Sequence, residues 1–174
     1  MKRILAPLLL ITLLFPSLAM AEGFICKTTG WNCPVVDYED LVKRNGLYYK
    51  KFTERPFTGK VTGRSQGWFR RGKKDGPWVR FYKNGQIDTK ANFKDSELEG
   101  PYIVYHKNGQ LQEKGNYKNS KKEGPWVFYH DNGRLRRKGT YKDGKEEGPW
   151  VYYWKDGSAW DKSTGTYKNG VKVD

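Results

Sequence analysis

Cysteine, histidine and methionine are each present only twice in the 174 residues of this chain. A zinc site needs several nitrogen or thiolate ligands close together, so this composition disfavours one. No serine or cysteine stands in a nucleophile motif, and two histidines, His106 and His130, supply no catalytic triad. The scarcity of reactive side chains predicts a protein that is not an enzyme and that has no cofactor and no metal.

Long apolar runs are missing after the first 21 residues. Residues 1–21 begin with two basic residues, continue with an apolar run and end on Ala-Met-Ala, the order typical of a secretory signal peptide cleaved after Ala21. The alternative is a membrane anchor, but about a dozen apolar residues fall short of the roughly 20 that a spanning helix needs. We therefore predict an exported protein, periplasmic or extracellular, with no transmembrane segment in the mature chain.

Acidic residues are outnumbered, 19 against 33 lysines and arginines. Without the signal peptide the net charge is still +12, which favours anionic partners: an acidic protein, anionic lipid or acidic polysaccharide. The alternative is that surface lysines only keep an edge-rich β protein soluble. Nucleic acid is not an expected partner outside the cytoplasm.

The two cysteines, Cys26 and Cys33, lie close together after the predicted cleavage site. In an oxidising compartment they are expected to form a disulfide, whose short loop would contribute about 2 kcal/mol of chain entropy. Two free thiols are the alternative. The surrounding residues 22–46 match no other part of the chain and are predicted to cap the first edge of a sheet.

The rest of the chain is repetitive, because a Gly-Pro pair recurs every 24 residues and so marks an array. The four pairs are Gly76-Pro77, Gly100-Pro101, Gly124-Pro125 and Gly148-Pro149. The last unit differs from the others by two extra residues before Gly165. Upstream, Gly67 and the segment from residue 47 indicate an earlier, degenerate unit, so the array is predicted over residues 47–174.

Each unit contains two strand-like runs separated by Asn-Gly or Asp-Gly. These dipeptides tolerate the positive φ of a type I′ turn, so each unit is predicted to be a β-hairpin whose first strand starts at the proline. The predicted turn residues are Asn84, Gly85, Asn108, Gly109, Asn132, Gly133, Asp156 and Gly157. The fold class is therefore all-β: an elongated, single-layer antiparallel sheet of tandem hairpins with a 24-residue period.

Side chains alternate across a strand, so equivalent positions form columns along the array. One parity is uniformly apolar and includes Val127 and Tyr129. The other contains a nearly constant aromatic column, predicted to be structural and to fill the room above small residues of the second strands such as Gly115. That column consists of Trp78, Tyr102, Trp126 and Trp150.

A neighbouring column varies, and packing alone would favour uniformity there. We therefore predict that it faces solvent and binds the partner through its aromatic and basic members. It consists of Arg80, Val104, Phe128 and Tyr152. The histidines stand in a third column and are interpreted as structural, since two strands of about 4.8 Å spacing separate them by roughly 10 Å.

The Gly-x-Tyr, x-Asn-Gly and Gly-Pro-Trp pattern of these units resembles the variant MORN repeats (membrane occupation and recognition nexus), found in bacterial proteins often named as antitoxins. The resemblance covers roughly residues 47–174 and implies a row of antiparallel hairpins that binds lipids or proteins. The sequence thus predicts an exported, non-catalytic binding or scaffold module of the immunity or antitoxin-like type, with a protein partner in the periplasm. The alternative is an envelope module for anionic lipid or polysaccharide.

Overall fold

A computed structural model describes residues 33–174 of the chain. The predicted signal peptide and Cys26 lie outside this range. The described part is nearly all strand, with one 3₁₀ helix at Tyr38–Asp40 and no α-helix. Within it, no helix has the length and apolarity needed to cross a membrane.

The strands of the described chain follow one another closely. Their bounds are β1 Val35–Asp37, β2 Leu41–Arg44, β3 Leu47–Lys50, β4 Gly59–Thr62, β5 Ser65–Arg70, β6 Lys73–Lys74, β7 Gly76–Phe81, β8 Ile87–Lys94, β9 Glu97–Tyr105, β10 Leu111–Lys118, β11 Lys121–Tyr129, β12 Leu135–Lys142, β13 Lys145–Tyr152, β14 Gly165–Lys168 and β15 Val171–Lys172.

A single sheet contains all of these strands except β2 and β3, which pair with each other. From β7 to β15 every strand is hydrogen-bonded to its neighbours in sequence and runs antiparallel to them. Sequential hairpins bring each repeat against only the next one, as in other repeat proteins. The predicted fold class, an elongated all-β sheet of tandem hairpins with a 24-residue period, is confirmed.

The Asn-Gly turns differ from the prediction. Gly85 has a φ of +83°, but Asn84 is not in the left-handed region. The amide of Gly85 donates to the carbonyl of Tyr82 at 3.0 Å, and the amide of Tyr82 donates to Gln86 at 2.8 Å. This is a type I turn followed by a left-handed glycine, a common longer hairpin loop, so the type I′ assignment was wrong here.

The type I′ geometry occurs instead at the turns that join one repeat to the next. Both central residues have positive φ in Asp95–Ser96 (+52° and +72°) and in Asp143–Gly144 (+51° and +83°). Two-residue turns of this type match the twist of antiparallel strands and so permit a tight connection. Asn, Asp, Ser and Gly supply this conformation because they tolerate left-handed backbone best.

Three of the four Gly-Pro pairs lie inside strands, in β9, β11 and β13, whereas β7 begins at Gly76. Strand β11 begins three residues before Gly124, which has a φ of +71°. The pairs Lys114↔Val127 and Asn116↔Glu123 show that β11 has two more residues than β10 in this interval. The predicted strand start at proline is therefore wrong for these three strands, because Gly-Pro forms a bulge that bends the strand.

The N-terminal end of the sheet is covered by the segment that precedes it. Strand β1 pairs in parallel with β4, which protects an otherwise free edge. The 3₁₀ helix contributes Tyr38, whose ring lies 6.2 Å from that of Trp78 in an edge-to-face contact. The boundary predicted after residue 46 falls in the turn of the β2–β3 hairpin. Cys33 is not a free thiol, but its pairing with Cys26 stays a prediction.

Candidate functional site

The two faces of the sheet differ in what they can bind. We call the side that holds Trp78, Trp126 and Trp150 the tryptophan face. These three indoles are 5%, 0% and 1% exposed, and Tyr102 of the same column is half-buried. The column predicted to be structural therefore forms a core, and its rings are not available as a ligand surface.

Room for each indole is made by a glycine of the preceding second strand. A Cβ atom added at Gly67, Gly115 or Gly139 would lie 2.2–2.4 Å from an indole carbon of the tryptophan 11 residues later. Each indole also donates its N–H to a backbone carbonyl, for example from Trp126 to Asn116 at 3.1 Å. Ring, glycine and carbonyl together fix the position of each of these three tryptophan-containing repeats on the unit before it.

Ion-paired side chains cover the aromatic rings of the tryptophan face on its solvent side. The Nζ atom of Lys122 lies 4.0 Å from the ring centroid of Trp126 and 3.2 Å from the carboxylate of Glu113. One repeat further on, Arg137 lies 4.1 Å from the Phe128 ring and 2.8 Å from Glu146. Alkyl stems and paired charges thus cover the rings of a one-layer sheet, a known use of long cationic side chains.

The predicted partner-binding column lies on this covered face. Phe128 is 1% exposed and Val104 is 9% exposed, so the prediction that these positions face solvent was wrong. The Tyr152 hydroxyl hydrogen-bonds Glu146 at 3.1 Å, and Tyr152 is half-buried. Only Arg80 is largely exposed, and it pairs with Asp88 at 2.6 Å. The column varies because each member is matched to different neighbours.

The third column joins consecutive repeats by hydrogen bonds. The hydroxyl of Tyr82 donates to the carbonyl of Tyr105 at 2.7 Å. Nε2 of His106 lies 3.1 Å from the carbonyl of Tyr129, and the equivalent nitrogen of His130 lies 3.0 Å from that of Tyr153. Both imidazoles are thereby used in the packing of repeats. Within residues 33–174 no cluster of potential metal ligands is present.

Side chains in the turns form further links between repeats. The amide group of Asn108 donates to the carbonyl of Asp131 in the next repeat at 2.6 Å. Glu99 and Glu123 accept the backbone amides of Asn119 and Asp143, each at 2.9 Å. These two carboxylates thereby stabilise the following turn.

The opposite side of the sheet, which we call the open face, is the surface left for a partner. Its central row alternates apolar and cationic residues across seven strands, and each member is paired in register with the next. The apolar members are half-buried and the lysines are exposed. The row consists of Val79, Lys90, Ile103, Lys114, Val127, Lys138 and Val151.

Aromatic and aliphatic residues form a second row on the open face. Tyr105 pairs with Leu111 and Tyr129 pairs with Leu135, and all four are half-buried. The open face was missed because uniform apolar columns suggested a core. The signal that could have identified the open face is the lysine at the paired position in the second strand of each hairpin, since directly opposed side chains share a face.

Raised tyrosine pKa values make the tryptophan face sensitive to alkaline pH. Burial, with the nearby Tyr102 and Glu113, raises the pKa of Tyr117 to about 12. Burial is also the main cause of the raised pKa values of Tyr102, Tyr141 and Tyr152. Burial lowers the pKa of Lys122 and of Lys74, so these two groups shift in the opposite direction.

We expect the free energy of unfolding to fall as the pH rises above about 10. The folded chain keeps these phenol protons while the unfolded chain loses them, so the tyrosine contribution is complete below pH 10 and declines towards pH 12. The two lysines oppose this but are outnumbered. Urea midpoints at pH 8 and pH 11.5 measure the effect. An unchanged midpoint, with tyrosines that ionise at their ordinary pH, would contradict it.

The fold and its faces define the class of protein: a solenoid of β-hairpin repeats with one filled face and one open face. Residues 74–95, 98–119 and 122–143 match the family model described as MORN repeat variant. A comparison with curated proteins found no match. The resemblance to variant MORN repeats is thus confirmed for residues 74–143. Such repeats generally serve as binding or scaffold modules and are typically not enzymes.

Proposed function

We propose that this protein is an exported, non-catalytic binding module whose open face docks an acidic surface of a protein partner in the periplasm, as an immunity or antitoxin-like protein would. The observation that carries the proposal is the in-register row of alternating valine, isoleucine and lysine. It places cations at regular intervals on a surface that also contains the apolar pairs Tyr105–Leu111 and Tyr129–Leu135.

The composition of the open face suits protein recognition. Half-buried tyrosines such as Tyr105 and Tyr129 supply large, rigid contact area, the property that makes tyrosine frequent among residues important for binding. Exposed lysines such as Lys114 and Lys138 supply long-range attraction to an acidic partner, which raises the association rate and adds salt dependence. The tryptophan face offers neither, because its rings are buried and its charges are mostly paired.

The proposal predicts that open-face substitutions abolish partner capture without unfolding the array. The test variant combines Lys114→Glu, Tyr129→Ser and Lys138→Glu. The control combines Lys83→Glu and Lys107→Glu, which make the same charge change at exposed turn positions outside the strands. The mature chain is immobilised, incubated with envelope extract at low and high salt, and the retained proteins are identified by mass spectrometry.

The parent and the control are expected to retain the same acidic protein, and the open-face variant is expected to lose it by at least about tenfold, the equivalent of about 1.4 kcal/mol. Denaturant melts of all three should show intact folding. If the open-face variant retains the partner as well as the parent does, the recognition surface lies elsewhere and the proposal is wrong.

A second candidate function is binding to an anionic membrane surface. Phe52 is fully exposed, at 104% of its reference area, and follows Lys50 and Lys51 in the loop after β3. An exposed aromatic ring beside cations suits the interface of an anionic bilayer. Sedimentation with phosphatidylglycerol vesicles tests this: the parent should sediment with them, and Phe52→Ser together with Lys51→Gln should not. Failure of the parent to sediment removes this candidate.

A further inference from the structure

The last repeat contains a pocket lined by Trp154 and Trp160. The two extra residues of this repeat lie in the segment that contains Trp160. Trp154 occupies the column position filled by Tyr82, His106 and His130 in the earlier repeats. Those three side chains hydrogen-bond the next repeat, whereas the ring of Trp154 stacks on that of Trp160, with centroids 4.5 Å apart and planes at 24°.

Backbone hydrogen bonds hold Trp160 in place. Its amide donates to the carbonyl of Tyr152 at 2.8 Å, and its carbonyl accepts the amides of Ser163 and Thr164 at 3.1 Å. The Trp160 ring also meets the Tyr152 ring edge-to-face at 6.1 Å. The stacked pair is therefore a rigid platform, although Trp154 leaves 49% of its surface exposed.

Two arginines, Arg136 and Arg137, also line this pocket, which has a volume of about 350 Å³. This lies at the lower end of the range typical of small-molecule sites. Arg136, Arg137 and His130 face the aromatic rings, and no acidic side chain is among the lining residues. Arg137 is held by Glu146 at 2.8 Å. The exposed guanidinium of Arg136 is 5.7 Å from the Phe128 ring, and no ion pair occupies it within residues 33–174.

We propose that this aromatic–arginine pocket binds a sugar ring that carries a carboxylate, as in a uronic acid. The negative π face of an indole attracts the weakly positive C–H face of a pyranose. A guanidinium binds a carboxylate through two parallel hydrogen bonds. The half-exposed platform leaves the hydroxyl groups of such a ring in water, and the two arginines disfavour a quaternary ammonium ligand. This site lies in the last repeat, at the end of the array.

The mature chain is titrated with tetragalacturonate, and tryptophan fluorescence and calorimetry report binding. The methyl-esterified tetramer is the matched control ligand, because it has the same rings without the charge. We expect the acid to bind at least about tenfold more tightly than the ester. Arg136→Gln should remove this preference, whereas Arg64→Gln, an equal loss of charge at an exposed position outside the pocket, should keep it.

Trp160→Ala should weaken binding of the acid by at least about tenfold. Three results would each overturn the proposal. They are equal affinity for acid and ester, binding that survives both Arg136→Gln and Trp160→Ala, and no binding signal with the parent. Citrate at the same carboxylate concentration is a further control, and an affinity equal to that of the tetragalacturonate would show that the pocket selects anions without selecting sugars, which would also overturn the proposal. Because Arg136 is exposed, its variant tests the pocket even if Trp160→Ala loosens the end of the array.

Discussion

Replacing Trp126 with alanine is expected to lower the free energy of unfolding by about 3–5 kcal/mol, the usual cost of removing a large buried ring. The indole is 0% exposed, and its removal also leaves the Asn116 carbonyl without its hydrogen bond. It contacts the rings of Tyr117 and Tyr141 edge-to-face at 5.3 and 5.9 Å, so the cavity would open at the centre of the array.

Trp154→Ala is the matched control, because the same substitution is made in a residue that is 49% exposed at the end of the array. It should cost less than half as much, since a half-exposed ring loses less burial and leaves no enclosed cavity. Urea unfolding followed by circular dichroism measures both variants. Similar losses in the two would show that the tryptophan face is not the core of the array.

Much of the fold follows from the sequence because the repeat is strict. Gly-Pro and Asn-Gly at constant spacing define the hairpins, and the ring-above-glycine packing follows from the spacing of Trp126 and Gly115. The turn types were harder to predict, because Asn-Gly is compatible both with a type I′ turn and with a type I turn followed by a left-handed glycine. The hydrogen bond from Gly85 to Tyr82 decides between them.

The candidate site was predicted less well. The prediction compared equivalent positions of successive repeats, but it did not compare the side chains that contact one another on adjacent strands. Equivalent positions at two successive junctions contain Glu113 with Lys122 and Arg137 with Glu146, so the ion pair is kept while its signs are reversed. The variation on the tryptophan face is therefore compensated between neighbours that lie nine residues apart. This variation reflects packing between repeats, and the face that we propose for partner binding is the one with constant columns.

Size complementarity between ring and small residue leads to the second prediction with a large effect. Between the repeats that begin at Gly76 and Gly100, Tyr102 pairs in register with Ala91. The tryptophans of the other repeats lie above glycines. A Cβ at Gly115 would lie 2.3 Å from Trp126, and Gly115 does not have a positive φ. Gly115→Ala should therefore destabilise the fold through steric overlap alone, by about 1–3 kcal/mol or more.

Replacing Trp126 with tyrosine in the same chain should recover most of this loss, because the pair would then have the Ala–Tyr composition already found at Ala91 and Tyr102. The coupling energy in a double-mutant cycle of Gly115→Ala and Trp126→Tyr is expected to be about 1–2 kcal/mol in the favourable direction. Gly109→Ala serves as a control for loss of glycine, since its cost arises from a φ of +83° and Trp126→Tyr should not relieve it. If the losses from Gly115→Ala and Trp126→Tyr simply add, ring size and glycine are independent and the packing rule is wrong.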